Sequence, residues 1–416
     1  MSAEMATLAV TAVSGFVVVH VLDKSGYAQY TLLTACVSLV FGLSDLGLSN
    51  CYLPVVGARA HDARWVLQVC RRIYGKRWLL LAPAGLAVLA YWLYATWLHH
   101  WTRPAYLLAS ALLALGVPLA LREHVSRCVL SILQNTRALS RIGLTSAVAR
   151  MLLLLAAVLC SSVLDPLVGI SLATLAAALI PVVQYNGVPA LHPLAGTTLS
   201  GTEARQVDRR IGEVLRPLIL FGLFHQFQSS ITILLVATLG HGHSLAEVGA
   251  LTRPTLVLSL IDRVTAVLLF PVVARKVDSP HLARLVAMSI CLHLVCMAAI
   301  LATAIFTPGM WMWLIGSTYA GQADMLWMAF LAAILLNASG FAFAMLTAIG
   351  DTRGQALLIP VVLCVQGLYL LLGEVTSTRG ALLFSIATTA AYCAFQYSKL
   401  GLVAHARFSR AVSATA

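Results

Sequence analysis

The sequence predicts an all-α polytopic membrane protein: twelve transmembrane helices in two six-helix lobes. Three observations predict it. Of 416 residues, 60% are hydrophobic and 10% charged, and the apolar residues gather in long blocks rather than alternating with polar ones. Twelve of these blocks approach the roughly 20 residues a helix needs to cross about 30 Å of hydrocarbon. The basic residues are concentrated in alternate loops, the pattern of short cytoplasmic loops that retain positive charge.

The blocks lie at 4–22, 30–56, 78–98, 105–133, 142–163, 167–185, 215–239, 248–273, 282–306, 325–349, 356–373 and 381–402. The first reads as a span rather than a signal peptide, because MSAEMATLAV has no basic segment and LDKSGY offers no small-residue cleavage site. The second carries FGLSDLGLSN, with Asp45 in an otherwise apolar run. The third follows RRIYGKR, read as a cytoplasmic loop, and the fourth ends in the polar stretch REHVSRCVLSILQNTR. Arg150 stands inside the fifth, about two and a half turns past Arg141. After the sixth comes the longest polar segment, at about 186–214; it divides the chain into an N-terminal lobe (1–190), a cytoplasmic linker (191–214) and a C-terminal lobe (215–416). Within the linker, GTEARQVDRRIGEVLR fits either a helix lying on the membrane face, drawn to anionic lipid by about 1 kcal/mol per basic residue, or a solvated connector. The seventh and eighth blocks flank GHGHS, and the ninth and tenth flank TPGMWMWLIGSTYAGQAD. The eleventh follows GDTRGQ, and the twelfth closes the set.

Charge gives the orientation. With both termini cytoplasmic, 19 of the 27 basic residues fall on inside segments, Arg71, Arg72, Lys76 and Arg77 among them. Lys24, Arg103 and Arg379 fall outside, and Arg122, Arg150, Arg253, Arg263 and Lys399 lie within or at the edges of spans. This topology accounts for the net charge of +12, so no nucleic-acid partner is inferred. The nine cysteines lie mostly inside spans without metal-ligand spacing and read as small apolar fillers, so no metal or other cofactor is expected. The two halves echo one another: LPVVGAR (53–59) and FPVVARK (270–276) place Pro54 and Pro271 217 positions apart, and the same offset carries Asp45 onto Asp262.

The run SGYAQYTLLTACVSLVFGLSDLGLSNCYLPVV resembles the first-to-second span signature of Wzx-type polysaccharide flippases, within the multidrug/oligosaccharidyl-lipid/polysaccharide exporter superfamily. RRIGEVLRPLILFGLFHQFQSS, LAEVGALTRPTLVLSLIDRVTAVLLFPVVAR and MLTAIGDTRGQALLIPVV follow in the same order, so the resemblance covers nearly the whole chain. It implies two lobes around a central cavity in a bacterial inner membrane, and alternating access for an undecaprenyl-pyrophosphate-linked oligosaccharide. The partners it implies are that lipid-linked substrate, the phospholipid bilayer and other polysaccharide-assembly membrane proteins. Transport coupled to protons or sodium is compatible with it.

Candidate site residues follow from the cost of burying charge. In the second block, Thr34, Ser38, Asp45 and Ser49 recur at helical spacing, so Asp45 either lines the cavity or pairs with a neighbouring helix. Glu123 and Arg127 are i, i+4 partners, and Arg122 points about 100° away. These arginines either present guanidinium to a phosphate or snorkel to the interface. An Arg or Lys at the bilayer centre costs about 3 kcal/mol, so Arg150, Arg253, Arg263 beside Asp262, and Lys399 should each be paired, interfacial or facing water. The basic excess over Asp45, Glu123 and Asp262 suits a pyrophosphate-bearing substrate. A multidrug cation exporter would want buried acids, and the first block offers only Thr7, Thr11, Ser14 and His20. An enzyme would need a reactive constellation, and no HExxH, Walker or nucleophile-elbow motif occurs.

Overall fold

An apolar segment with no water beside it has to bond its own backbone, so long apolar blocks become helices. The computed structural model describes residues 2–188, 191, 199–216, 219–269, 273, 282–349 and 354–415, and the regular structure among them is helical. Ten helical segments of the described residues are long and apolar enough to cross a membrane, and Met5–Val21 is a shorter apolar helix. The chain is a multi-pass membrane protein. The ten do not include the helices over the first and last predicted blocks, so twelve spans stay an expectation. Two compact units divide the chain, Met1–Thr238 and Leu239–Ala416.

The first unit contains α1 (Ser2–Val21), α2 (Lys24–Asp45), α3 (Tyr52–Val56), α4 (Ala63–Leu98), α5 (Pro104–Ile132), α6 (Thr136–Leu159), α7 (Pro166–Asn186), α8 (Gly201–Leu215) and α9 (Ile219–Leu239). Helix α2 packs on α4 and α5, α5 and α6 both pack on α7, and α1 packs on α6. Helix α9 joins this unit through named contacts. Tyr91 donates to the Leu234 carbonyl at 2.8 Å, and His99 Nε2 lies 2.7 Å from the Ala237 carbonyl. The Gln226 side chain lies so close over Gly42 that a β-carbon there would come within 1.7 Å of it, so any larger residue at position 42 would have to displace Gln226.

Three expectations are corrected here. The second block is not one helix: α2 stops at Asp45, Leu46 and Gly47 turn left-handed (φ 43° and 89°), and a 3-10 turn at Leu48–Cys51 leads into α3. Glycine is the residue that takes such a conformation without penalty, and it lets the chain leave the α2 axis. Next, RRIYGKR is helix rather than loop. Asp62 caps α4 by accepting from the Arg64 and Trp65 N–H groups at 2.9 and 3.3 Å, and 36 helical residues follow. At 1.5 Å per residue α4 is about 54 Å long, against about 30 Å of hydrocarbon, so its first turns stand beyond the membrane core. Last, the linker reading as a solvated connector gives way to an ordered helix. Helix α8 begins with a reciprocal Ser200–Glu203 capping box and buries Val207 and Ile211 against α3 and the first half of α4.

Asp208 holds α8 to α4. Its carboxylate accepts two hydrogen bonds from Arg72, at 3.1 and 2.7 Å, and lies 3.1 Å from Lys76 Nζ. The Arg72 hydrogen bond, followed by Lys76, holds the Asp208 carboxyl below the usual carboxylate range. A depressed pKa means that this contribution is present above the unfolded value of about 3.9 and is lost as pH falls through the folded value. Because the pair is partly exposed, its worth is about 1 kcal/mol or less. Amide protection across 201–215 is therefore expected to fall below about pH 4, and Asp208→Asn should lose the same protection at neutral pH. Hydrogen exchange in α8 that is indifferent to both changes would contradict this.

The second unit contains α10 (Gly242–Leu251), α11 (Leu258–Leu268), α12 (Leu282–Phe306), α13 (Pro308–Ile315), α14 (Leu326–Ile349), α15 (Leu358–Leu372) and α16 (Thr378–Thr415). The eighth predicted block is thus also broken. Pro254 lacks an N–H to continue α10, and a 3-10 turn at Pro254–Val257 separates it from α11. Helix α14 packs on α16 and α12 around Phe341, Met345, Leu346 and Leu400. Of the echo segment FPVVARK (270–276), all but the buried Val273 lies outside the described residues.

Candidate functional site

Asp45 sits where α2 ends, and the turn at Leu46–Gly47 brings Ser49 back over it. The Ser49 N–H and hydroxyl donate to Asp45 Oδ1 at 3.1 and 2.7 Å. Thr34 and Ser38 remain on α2, so the expected four-residue stripe along one helix is interrupted before Ser49. Facing the carboxylate is Arg77 of α4, whose side chain is fully buried and whose Nε lies 3.4 Å from Asp45 Oδ1, an ion-pair distance without hydrogen-bond geometry. One terminal nitrogen is 2.9 Å from His124 Nδ1 on α5, the other is 3.4 Å from the Phe41 carbonyl, and the guanidinium lies 4.8 Å from the Phe41 ring centre. A guanidinium only donates, so His124 Nδ1 accepts and the ring is neutral. Three helices are tied together at this point. Asp45 of α2 is thus paired with Arg77 of a neighbouring helix.

Arg77 is absent from the candidates expected from the sequence, where its charge places it in a loop. The signal was present: Trp65, Val69, Ile73 and Arg77 recur every fourth residue after the capping Asp62, and all four are buried. Arg77 occupies an apolar register, and only its charge argued otherwise.

On α5, Glu123 and Arg127 form the expected i, i+4 pair at 2.8 Å, with the Arg127 side chain 55% exposed. Arg122 is exposed and donates to Asn186 Oδ1 of α7 at 2.8 Å. It stands about 15 Å along α5 from the end at Ile132. Thr145 of α6 donates to Gln184 Oε1 of α7 at 2.9 Å and extends the polar edge. Deeper in α6, the half-buried Arg150 has its Nε buried with no hydrogen bond among the described residues, and one turn earlier the Ser146 hydroxyl is in the same state. Unsatisfied buried donors are rare in folded proteins. The charges placed here are four cations, Arg77, Arg122, Arg127 and Arg150, and two carboxylates, Asp45 and Glu123.

In the second unit Asp262 accepts a hydrogen bond from Asn337 of α14 at 2.7 Å. The buried His293 of α12 stacks on Phe341 with ring centres 4.1 Å apart. Lys399 is half-buried on α16 and engaged, whereas the side chain of Arg263 lies outside the described residues. Asp45 and Asp262, which the sequence echo relates, therefore have unlike partners: a guanidinium in one unit and a carboxamide in the other. Among the described residues no three of His, Cys, Asp and Glu gather as metal ligands.

No protein-family model matches the sequence, and no curated protein matches it. Solved structures do match over nearly the full length. An inward-facing multidrug resistance MATE family transporter of the MOP superfamily is similar with a TM-score of 0.71 at 16% identity, over 99% of this chain and 96% of that one. The lipid II flippase MurJ, in an inward closed conformation, is similar with a TM-score of 0.65 at 13% identity, over 99% and 92%. The fold is that of MOP superfamily transporters. A MOP superfamily transporter from Pyrococcus furiosus, described as having a binding pocket of reverse polarity, is also similar, with a TM-score of 0.58 at 14% identity over 98% of this chain and 93% of that one. These MOP-fold neighbours are transporters rather than enzymes.

Proposed function

We propose that this chain is a Wzx-like flippase that moves undecaprenyl-pyrophosphate-linked oligosaccharide units across a bacterial inner membrane by alternating access. The carrying observation is Arg150, a mid-span guanidinium with donor capacity unused by the protein, in a unit where cations outnumber carboxylates. Arginine matches phosphate oxygens bidentately, and a pyrophosphate head group needs such partners once it leaves water. The MOP fold, shared with a lipid II flippase, supports a lipid-linked substrate. Twelve spans around a central cavity, with both termini in the cytoplasm, complete this reading, and other polysaccharide-assembly proteins of the same membrane would supply and receive the substrate.

Deletion of the gene is expected to cause the undecaprenyl-linked intermediate to accumulate on the cytoplasmic side, with loss of the surface polysaccharide. An unchanged lipid-linked pool in the deletion strain would overturn the proposal. For topology, reporter fusions within α8 should read cytoplasmic and fusions at His100 and His243 periplasmic. The opposite pattern would contradict the orientation.

A second reading, a multidrug exporter, is favoured by the MATE transporter at TM-score 0.71 and by Asp262, a carboxylate whose hydrogen-bond donor is a neutral amide. Against it stands Asp45, already matched by Arg77. Drug-susceptibility profiles of the deletion strain separate the two, since an exporter of cationic drugs predicts sensitisation with a normal lipid-linked pool. In either reading, proton or sodium coupling would engage a carboxylate, and Asp262 is a candidate because its described partner, Asn337, is a neutral amide. Transport by Asp262→Asn that still responds to the ion gradient would exclude it.

A further inference from the structure

We propose that the outer face built by α5, α7 and α6 ends in a docking site for anionic phospholipid, separate from the path assigned to Arg150. Helices α5 and α6 both pack on α7, and each of the three carries exposed apolar residues in a seven-residue rhythm that ends in a polar one. On α5 the series is Leu108, Leu115 and Arg122, and on α7 it is Leu172, Leu179 and Asn186. Helix α6 carries it in the opposite chain direction as Leu155, Val148 and Arg141, with Arg137 one turn further on. Seven residues turn a helix by about 700°, so each step returns to within about 20° of the last and each series keeps to one side. The six apolar members are 42–61% exposed, and such a side of a membrane-spanning helix lies against acyl chains. Two hydrogen bonds bring the polar ends of the three series to the same end of the unit: Arg122 to Asn186, and Thr145, one turn from Arg141, to Gln184.

That end carries positive charge which the three helices do not neutralise. From Pro104 to Asn186 the acids are Glu123 and Asp165. Glu123 is bonded to Arg127 at 2.8 Å, and Asp165 caps the first turn of α7, about 31 Å from Asn186 at the far end of the same helix. The partner of Arg122 is a neutral amide, which leaves its charge whole. Arg137 and Arg141 are exposed, and among the described residues no carboxylate is bonded to either. Arg150 is nine residues past Arg141, about 180° around α6, so the lipid-facing arginines and the proposed transport residue lie on opposite sides of that helix. Helix α7 ends at Asn186, so the three arginines gather where the apolar rows give out, at the level of one leaflet's phosphates. Their planar forks match phosphate oxygens, while acyl chains joined to the same phosphate lie along the rows. A free phosphate would use the arginines and leave the rows unused.

The test is native mass spectrometry of the full-length protein released from neutral detergent in the presence of phosphatidylglycerol and phosphatidylcholine with identical acyl chains. The wild type should retain phosphatidylglycerol at least about ten-fold better, with each neutralised arginine removing roughly five-fold. Arg137→Gln with Arg141→Gln should remove most of the preference at an unchanged unfolding midpoint, because both side chains are exposed. Adding Arg122→Gln should abolish it. Arg205→Gln with Arg210→Gln takes the same charge from the exposed face of α8 and should leave the preference intact. Equal retention of the two lipids by the wild type, a full preference in the folded Arg137→Gln, Arg141→Gln protein, an equal loss in the α8 variant, or displacement of the lipid by inorganic phosphate at matched ionic strength would each overturn the proposal.

Discussion

Arg77→Ala is expected to destabilise the first unit by about 3 kcal/mol, the largest stability loss of any single substitution considered. The wild-type guanidinium is fully buried and meets an Asp45 carboxylate that keeps 20% of its surface. Removing it leaves that carboxylate with the Ser49 donors but no counter-charge, and leaves His124 Nδ1 with only the Cys128 thiol 3.9 Å away. Breaking a buried pair from one side costs about 3–5 kcal/mol, and the partial exposure of Asp45 places this case at the lower end. Replacing both partners, by Asp45→Asn with Arg77→Met, should recover most of the loss, because a neutral pair of similar volume carries no stranded charge. Arg77→Lys should fall between, since a single ammonium cannot reach His124, Asp45 and the Phe41 carbonyl together. Thermal or denaturant midpoints of the purified protein decide it. An unchanged midpoint for Arg77→Ala, or a double variant as unstable as the single, would show that the contact is not energetically coupled.

Arg150→Ala should give the opposite separation, with normal protein levels and near-complete loss of export. Its buried Nε forms no hydrogen bond among the described residues, so truncation removes an unsatisfied donor and costs the fold little. If the group instead meets pyrophosphate during transport, the lost charge-assisted contact is worth about 1.5–3 kcal/mol, or roughly ten- to a hundred-fold in rate. Arg150→Lys should retain part of the activity, because the charge remains while the fork does not. Arg122→Ala should be milder than Arg150→Ala, since Arg122 is exposed and already spends a donor on Asn186. Surface-polysaccharide export measured against membrane protein level is the assay. Normal export by a folded Arg150→Ala protein would remove the residue from the substrate path.

Much of the architecture was legible before any coordinates, for a simple reason. Crossing hydrocarbon demands long apolar runs that bond their own backbone, and such runs stand out in a linear sequence. The i, i+4 pairing of Glu123 with Arg127 was equally legible, because both partners lie on one helix whose geometry is known in advance. Helix ends were harder. The break after Asp45 and the early start of α4 each depend on short polar or glycine signals, Leu46–Gly47 and Asp62, set beside much stronger apolar or basic ones. RRIYGKR looked like a loop because its charges outweighed the four-residue rhythm that ends at Arg77.

The helical membrane architecture and the small set of charged residues that need a partner or water can be read from the linear chain. Which of them meets a partner, and which partner, depends on how the helices pack. Asp45 finds Arg77 32 positions later on another helix, Arg122 finds Asn186 across α5 and α7, and Arg150 leaves a buried donor open. Periodicity states which side of a helix a residue occupies, but the neighbour on that side is chosen by how helices pack. Packing is set by the summed shape of many apolar side chains rather than by the charged residue itself.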